Sequence, residues 1–149
     1  MKKDRAKEAF EIIAAHKMNC SQTVFTTFCE ELGLDRKTAL QIAQAFGGGM
    51  HINSVCGAVT GAYMALGLAQ EKTSPDKPRE SADRTNALVK EFNEKFRALH
   101  GSLNCSGLIG YDLSKPEEAS AAREKQVFST ICPALVRDSV KIVESLLKL

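Results

Sequence analysis

The sequence has no tryptophan, only two tyrosines and no block of one charge sign. Its 20 Lys and Arg nearly balance its 18 Asp and Glu. A nucleic-acid-binding domain usually has a basic surface and aromatic side chains for base stacking, so no nucleic-acid partner is expected. The most apolar stretch, residues 54–69, is shorter than the roughly 20 residues of a membrane span. The N-terminus lacks the apolar segment of a secretion signal, and a cytoplasmic location is expected.

Alternating strand patterns, long repeats and domain linkers are also missing from the sequence. Apolar residues recur instead at helical spacing through most of the chain. A polar segment with two prolines, residues 70–80, is predicted to be a loop. We therefore predict one all-α domain over residues 1–149, a bundle of about six or seven helices.

Residues 54–69 are predicted to form the central helix of this bundle, because no charge interrupts them. Small residues at helical spacing, among them Gly57 and Gly61, allow neighbouring backbones to approach closely. Asn53 or Ser54 is expected to cap this helix, which places Cys56 in its first turn.

Three consecutive glycines precede this helix: Gly47, Gly48 and Gly49. Backbone N–H groups of such a segment can bind an anion, which makes these glycines candidate cofactor-binding residues. No Gly-Lys-Ser/Thr follows them, and a tight turn between helices is the alternative.

Four of the five cysteines occur at predicted helix starts: Cys20, Cys56, Cys105 and Cys132. The helix dipole and unpaired N–H groups favour the thiolate there. Cysteine also serves as a small buried hydrophobe, and Cys29, on an apolar helix face, is interpreted that way. No Cys-x-x-Cys pair is present, since the four cysteines are 36, 49 and 27 positions apart. Any shared site must therefore be assembled by the fold.

The histidines each precede one of these cysteines by four or five residues: His16, His51 and His100. Mixed cysteine and histidine ligation of a metal is one interpretation, with His51 and His100 as candidate ligands. The other interpretation is that loops between helices often contain histidine.

Two motifs and the cysteine positions carry a resemblance to a known family. The motifs are Phe-Gly-Gly-Gly-Met at 46–50 and Cys-Gly-Ala-Val-Thr-Gly at 56–61. With one cysteine upstream and two downstream, the chain resembles the C_GCAxxG_C_C family, whose name describes redox-active proteins. The resemblance extends from Asn-Cys-Ser-Gln at 19–22 to Cys-Pro at 132–133. It implies that the four family cysteines are the same four that occur at helix starts.

Two classes of function follow from these observations. The first is a redox protein in which the four cysteines cluster, either as reactive thiols or as ligands of an iron–sulfur cluster or zinc. In the thiol form Cys56 is expected to be the more reactive, with Cys20 as its partner. Such a protein would be a thiol-based or cluster-based oxidoreductase acting on a redox partner or a small molecule. The second class is a non-enzymatic helical protein, structural or ligand-binding, whose cysteines only pack.

Overall fold

A computed structural model describes residues 2–71 and 76–149, and within them the chain is 70% helical. The all-α prediction is confirmed. Among these described residues, seven α-helices have eight or more residues, in line with the predicted six or seven, and two are shorter. Residues 72–75 of the predicted loop lie outside the described residues. The helices are α1 (Arg5–Ala14), α2 (Cys20–Phe28), α3 (Arg36–Ala43), α4 (Gly57–Leu68), α5 (Glu80–His100), α6 (Cys105–Ile109), α7 (Pro116–Glu124), α8 (Val127–Thr130) and α9 (Cys132–Leu147).

Helix α4 lies at the centre of the bundle, as its uncharged sequence predicted. Eight of its twelve residues are buried, and it packs against α2, α5 and α9. The contact with α2 depends on a missing side chain, because a Cβ on Gly61 would lie 2.6 Å from the carbonyl oxygen of Ser21. Small residues at this crossing therefore fix how closely the two helices approach.

The predicted bounds of α4 are wrong by a few residues at its start. The helix begins at Gly57 rather than near Ser54, and Cys56 is its N-cap residue without a side-chain cap hydrogen bond. Val55 instead pairs with Asn104 in an isolated antiparallel β-bridge. The extended backbone needed for this pairing delays the helix.

Helix α2 begins where predicted, with Asn19 and Gln22 forming a reciprocal capping box. The Gln22 N–H donates to the Asn19 side chain at 2.9 Å, and the Asn19 N–H donates to the Gln22 side chain at 3.1 Å. The apolar pattern of the sequence predicts a helix over about residues 20–32, but α2 ends at Phe28 and a series of turns leads to Gly33 at φ +90°. Cys29 is buried at this end of the helix, not within it.

The last helix, α9, joins several elements of the bundle. It packs against α1, α2, α4, α5 and α8 along one apolar face. The buried Ser139 hydroxyl donates to the carbonyl oxygen of Ala58 in α4 at 2.7 Å. Within residues 2–71 and 76–149, no helix combines the length and apolar character needed to cross a membrane.

A cysteine-lined cavity as the candidate functional site

The starts of four helices, α2, α4, α6 and α9, surround a cavity of about 380 Å³. All four predicted site cysteines line it: Cys20, Cys56, Cys105 and Cys132. Cys29 is not among its lining residues, in agreement with its interpretation as a core residue. The fold thus brings together thiols that are far apart in sequence, and all five cysteines are free.

Cys20 and Cys132, at the starts of α2 and α9, line the cavity together, and each thiol shifts the pKa of the other. The hydrogen bond from the Cys20 thiol stabilises the Cys132 thiolate and lowers the pKa of Cys132, although burial opposes it. The same bond raises the pKa of Cys20 well above its ordinary value, with burial and the neighbouring cysteines acting in the same direction. Of this pair, Cys132 is therefore the thiol whose anion is favoured, and Cys20 is the one that keeps its proton.

Cys56 and Cys105 are held together by the β-bridge between Val55 and Asn104. The Cys56 N–H donates to the carbonyl of Leu103 at 2.8 Å, and the Cys105 N–H donates to the carbonyl of Ser54 at 2.9 Å. In this antiparallel pairing Cys56 lies opposite Leu103, and Leu103 and Cys105 are two positions apart on the same segment. Both thiols therefore lie on one side of the bridge.

Burial raises the pKa of Cys56 to about 12 and that of Cys105 to about 11. The N–H groups of Ala58 and Val59 at the start of α4 lower the pKa of Cys56, as the helix-start argument requires, but their effect is smaller than that of burial. The prediction that Cys56 is the more reactive thiol was based on its position at a helix start, whereas burial of its side chain acts against the thiolate.

The glycine segment forms a left-handed turn next to these thiols. Four consecutive residues, Gly48 to His51, have φ between +56° and +67°. Gly49 packs against α6, since a Cβ on it would lie 2.9 Å from the Cβ of Cys105. Gly47 and Gly48 line the cavity, whereas Gly49 does not. Close packing and positive φ values therefore explain why glycine is needed in this turn. The role of these glycines in anion binding stays a prediction.

The three histidines do not share one place in the structure. His16 and His51 are exposed side chains that line the cavity, and His16 Nε2 lies 3.1 Å from the Ser129 hydroxyl. His100 is not a lining residue, and its Nε2 lies 3.1 Å from Asp138 Oδ2. In the part of the chain that the structure describes, no three His, Cys, Asp or Glu side chains are arranged to hold a metal ion.

Sequence reasoning missed the residues that close the cavity around the thiols. The walls are largely apolar, and one arginine, Arg123 from α7, lies among the lining residues. Nothing in the alternating charges of α7 distinguishes Arg123 from its neighbours, so its position is visible only in the fold. The apolar wall residues include Ile13, Ile109, Leu113 and Phe128.

A family model described as "Putative redox-active protein (C_GCAxxG_C_C)" matches residues 18–146. The chain belongs to this family. The match includes all four cavity cysteines and the glycine segment, and it confirms the resemblance seen in the sequence. No curated protein and no solved structure matches the chain significantly.

Proposed function

We propose that this chain is a cytoplasmic thiol-based oxidoreductase in which Cys132 and Cys20 reduce a disulfide. The observation that carries the proposal is that both thiols line one cavity large enough for a small molecule, where Cys20 lowers the pKa of Cys132. A thiolate is the nucleophile in disulfide exchange, and a second thiol nearby resolves the mixed disulfide. Cys132 and Cys20 supply these two functions from opposite ends of the chain.

The reaction has two steps. In the first, the Cys132 thiolate attacks one sulfur of a disulfide R–S–S–R′, forming a Cys132–S–R bond and releasing R′S⁻. The leaving thiolate takes the proton of Cys20. In the second step, the Cys20 thiolate attacks the Cys132 sulfur, forming the Cys20–Cys132 disulfide and releasing RS⁻. Two electrons pass from the protein to the substrate, and an external dithiol must reduce the protein again.

Cys56 and Cys105 have a different role in this proposal. Their pKa values of about 12 and about 11 keep both thiols protonated near neutral pH. They form the buried wall of the cavity against which the substrate sulfur lies.

The metal-binding form is less well supported. Four cysteines are a suitable donor set for zinc or an iron–sulfur cluster. However, no group of three ligands is arranged for a metal within the described residues, so no step is assigned to a metal. Anaerobic purification with elemental analysis and free-thiol counting tests this point. Stoichiometric zinc, or iron with sulfide, would contradict the thiol proposal.

The exchange reaction can be tested with the reduced full chain and 2-hydroxyethyl disulfide. We expect wild type to form the Cys20–Cys132 disulfide, Cys20→Ser to stop at the mixed disulfide on Cys132, and Cys132→Ser to lose the reaction. Peptide mass spectrometry identifies each product. Cys29→Ser is the matched control, since Cys29 does not line the cavity, and it should react like wild type.

The non-enzymatic alternative makes the opposite prediction. If the cysteines only pack in a structural or ligand-binding bundle, Cys132→Ser and Cys29→Ser will have the same effect on exchange. Equal rates in these two variants would contradict the proposed function.

A further inference from the structure

The depth of the thiols limits the size of the substrate. Cys56, Cys105 and Cys132 are each at most 7% exposed, so a disulfide on the surface of a folded protein would not reach the Cys132 sulfur. A cavity of about 380 Å³ is within the range of small-molecule sites, roughly 300–1,000 Å³. The geometry therefore favours a small molecule over a protein as the disulfide that is reduced.

The charged side chain that lines the cavity is cationic. Arg123 is the only Lys, Arg, Asp or Glu among the described lining residues, and the two histidines there are neutral or cationic. The nearest carboxylate influence comes from Asp112, which contributes to the raised pKa of Cys105 but is not a lining residue. Hydrogen bonds from Ser114 and the charge of Lys115 lower the pKa of Asp112 itself. A ligand that entered this cavity would meet one cation and no lining carboxylate.

Arg123 has no acidic partner among the residues that the structure describes. Among residues 2–71 and 76–149, no carboxylate lies within ion-pair distance of its guanidinium. It also lines the adjoining surface depression with His16 and Ser129, which places it where the cavity meets solvent. A guanidinium with free N–H donors at such an opening can bind a carboxylate.

We propose that the substrate is a small disulfide that carries a carboxylate or another anionic group, and that Arg123 binds this group while Cys132 attacks the sulfur. This inference rests on the proposed function. The apolar side chains of Ile13, Ile109 and Phe128 contact the carbon and sulfur atoms between the two polar ends. Arg123 is thereby a residue that determines specificity, and it does not alter the chemistry of the thiols.

The effect of substrate charge can be measured with three disulfides of similar size: anionic 3,3′-dithiodipropionate, neutral 2-hydroxyethyl disulfide and cationic cystamine. Second-order rates of mixed-disulfide formation on reduced Cys20→Ser protein are divided by the rates of 2-mercaptoethanol with the same disulfides. This correction removes the intrinsic reactivity of each compound. We expect the corrected rates to decrease from the anionic to the neutral to the cationic disulfide, and the difference to shrink with added salt.

Substitution of the arginine then tests its role. In the same background, Arg123→Gln should lower the corrected rate with the anionic disulfide about three- to fivefold, the size expected for a solvent-exposed ion pair. The rate with the neutral compound should not change. Arg123→Lys should retain most of the preference. Arg97→Gln removes a cation that does not line the cavity, and its corrected rates should equal those of the parent Cys20→Ser protein.

The outcomes distinguish the two levels of the proposal. If none of the three disulfides forms an adduct on Cys132, the proposed function fails. If all three form adducts at equal corrected rates, the thiol function stands and the anionic substrate is excluded. The role of Arg123 is overturned if Arg123→Gln still reacts faster with the anionic disulfide than with the other two. It is also overturned if this substitution lowers the corrected rates of all three disulfides equally. Should that variant fold poorly, Arg123→Ala makes the same comparison, and the salt dependence of the parent protein tests only whether the preference is electrostatic.

Discussion

A single hydrogen bond makes Cys132 different from three cysteines in otherwise similar positions. All four cysteines are at or next to a helix start, so the dipole alone does not distinguish them. Burial raises the pKa of Cys56 and Cys105, and only Cys132 has its pKa lowered. The difference arises because the Cys20 thiol donates to it. At the residue scale, we expect the Cys20 hydrogen-bond donor and the depth of burial to decide which thiol reacts.

Removing the donor should raise the pKa of Cys132. We expect Cys20→Ala to shift the pH–rate profile of Cys132 alkylation by iodoacetamide to higher pH, because burial then acts unopposed by Cys20. Near neutral pH the rate should fall on the order of tenfold, the equivalent of one hydrogen bond to a charged group. The measurement is alkylation of the Cys132 peptide followed by mass spectrometry across the pH range.

Cys20→Ser is the matched control for this shift. Its hydroxyl can still donate to the Cys132 thiolate, so its profile should lie between those of wild type and Cys20→Ala. Coincident profiles for all three proteins would show that the hydrogen bond does not control Cys132.

At the scale of elements, the crossing of α2 and α4 depends on Gly61. Its Cβ position lies 2.6 Å from the Ser21 carbonyl oxygen and 3.0 Å from the Val24 Cβ. We expect Gly61→Ala to force the helices apart and to lower the free energy of unfolding by about 1–3 kcal/mol, as overpacking does. Urea unfolding monitored by circular dichroism measures this loss.

Gly67→Ala is the control in the same helix. Its nearest neighbour would be a Thr85 methyl carbon at 3.9 Å, so the added methyl fits. This variant should gain about 0.5–1 kcal/mol, because alanine is favoured over glycine within a helix. Equal effects of the two substitutions would mean that helix propensity, and not the crossing, accounts for Gly61.

The left-handed turn allows a similar comparison. Gly48 and Gly49 both have positive φ, so alanine at either costs about 1–2 kcal/mol in backbone strain. Only at Gly49 does the added Cβ also clash, 2.9 Å from Cys105 Cβ, whereas at Gly48 the nearest atom is at 3.5 Å. Gly49→Ala should therefore lose more stability than Gly48→Ala in urea unfolding and should expose Cys105 to alkylation. Similar losses without exposure of Cys105 would contradict this packing role.

Helices with local signals could be predicted from the sequence, and those set by distant contacts could not. Asn19 is such a local signal, since asparagine is favoured as an N-cap, and α2 begins directly after it as predicted. The start of α4 depends instead on a bridge to Asn104, 49 residues after Val55. Pairing across that distance leaves no periodicity in either segment, which is why the helix was predicted to start near Ser54.

At the scale of the whole molecule, the cysteine positions in the sequence predicted which thiols line the cavity but not the pKa of each thiol. Helix starts and the family motif selected the four residues that line the cavity. Depth, the contact between Cys20 and Cys132, and the position of Arg123 all follow from tertiary packing. These features decide the pKa of each thiol and the charge of the cavity. Cys132 is therefore proposed from the structure, whereas the choice of Cys56 from the sequence stays an untested prediction.

The Cys20–Cys132 pair also connects nearly the whole chain, since its members are 112 positions apart. A disulfide between them would restrict the unfolded chain and tie the start of α2 to the start of α9. We expect oxidation by diamide to raise the free energy of unfolding by about 2–4 kcal/mol, the usual effect of a disulfide that closes a long loop. Urea unfolding of oxidised and dithiothreitol-reduced protein measures the difference, with peptide mapping to verify the disulfide. Cys20→Ser treated in the same way should show no gain. An oxidised protein no more stable than the reduced one would mean that this disulfide strains the native fold, and Cys20 would then be unsuited to resolve the mixed disulfide on Cys132.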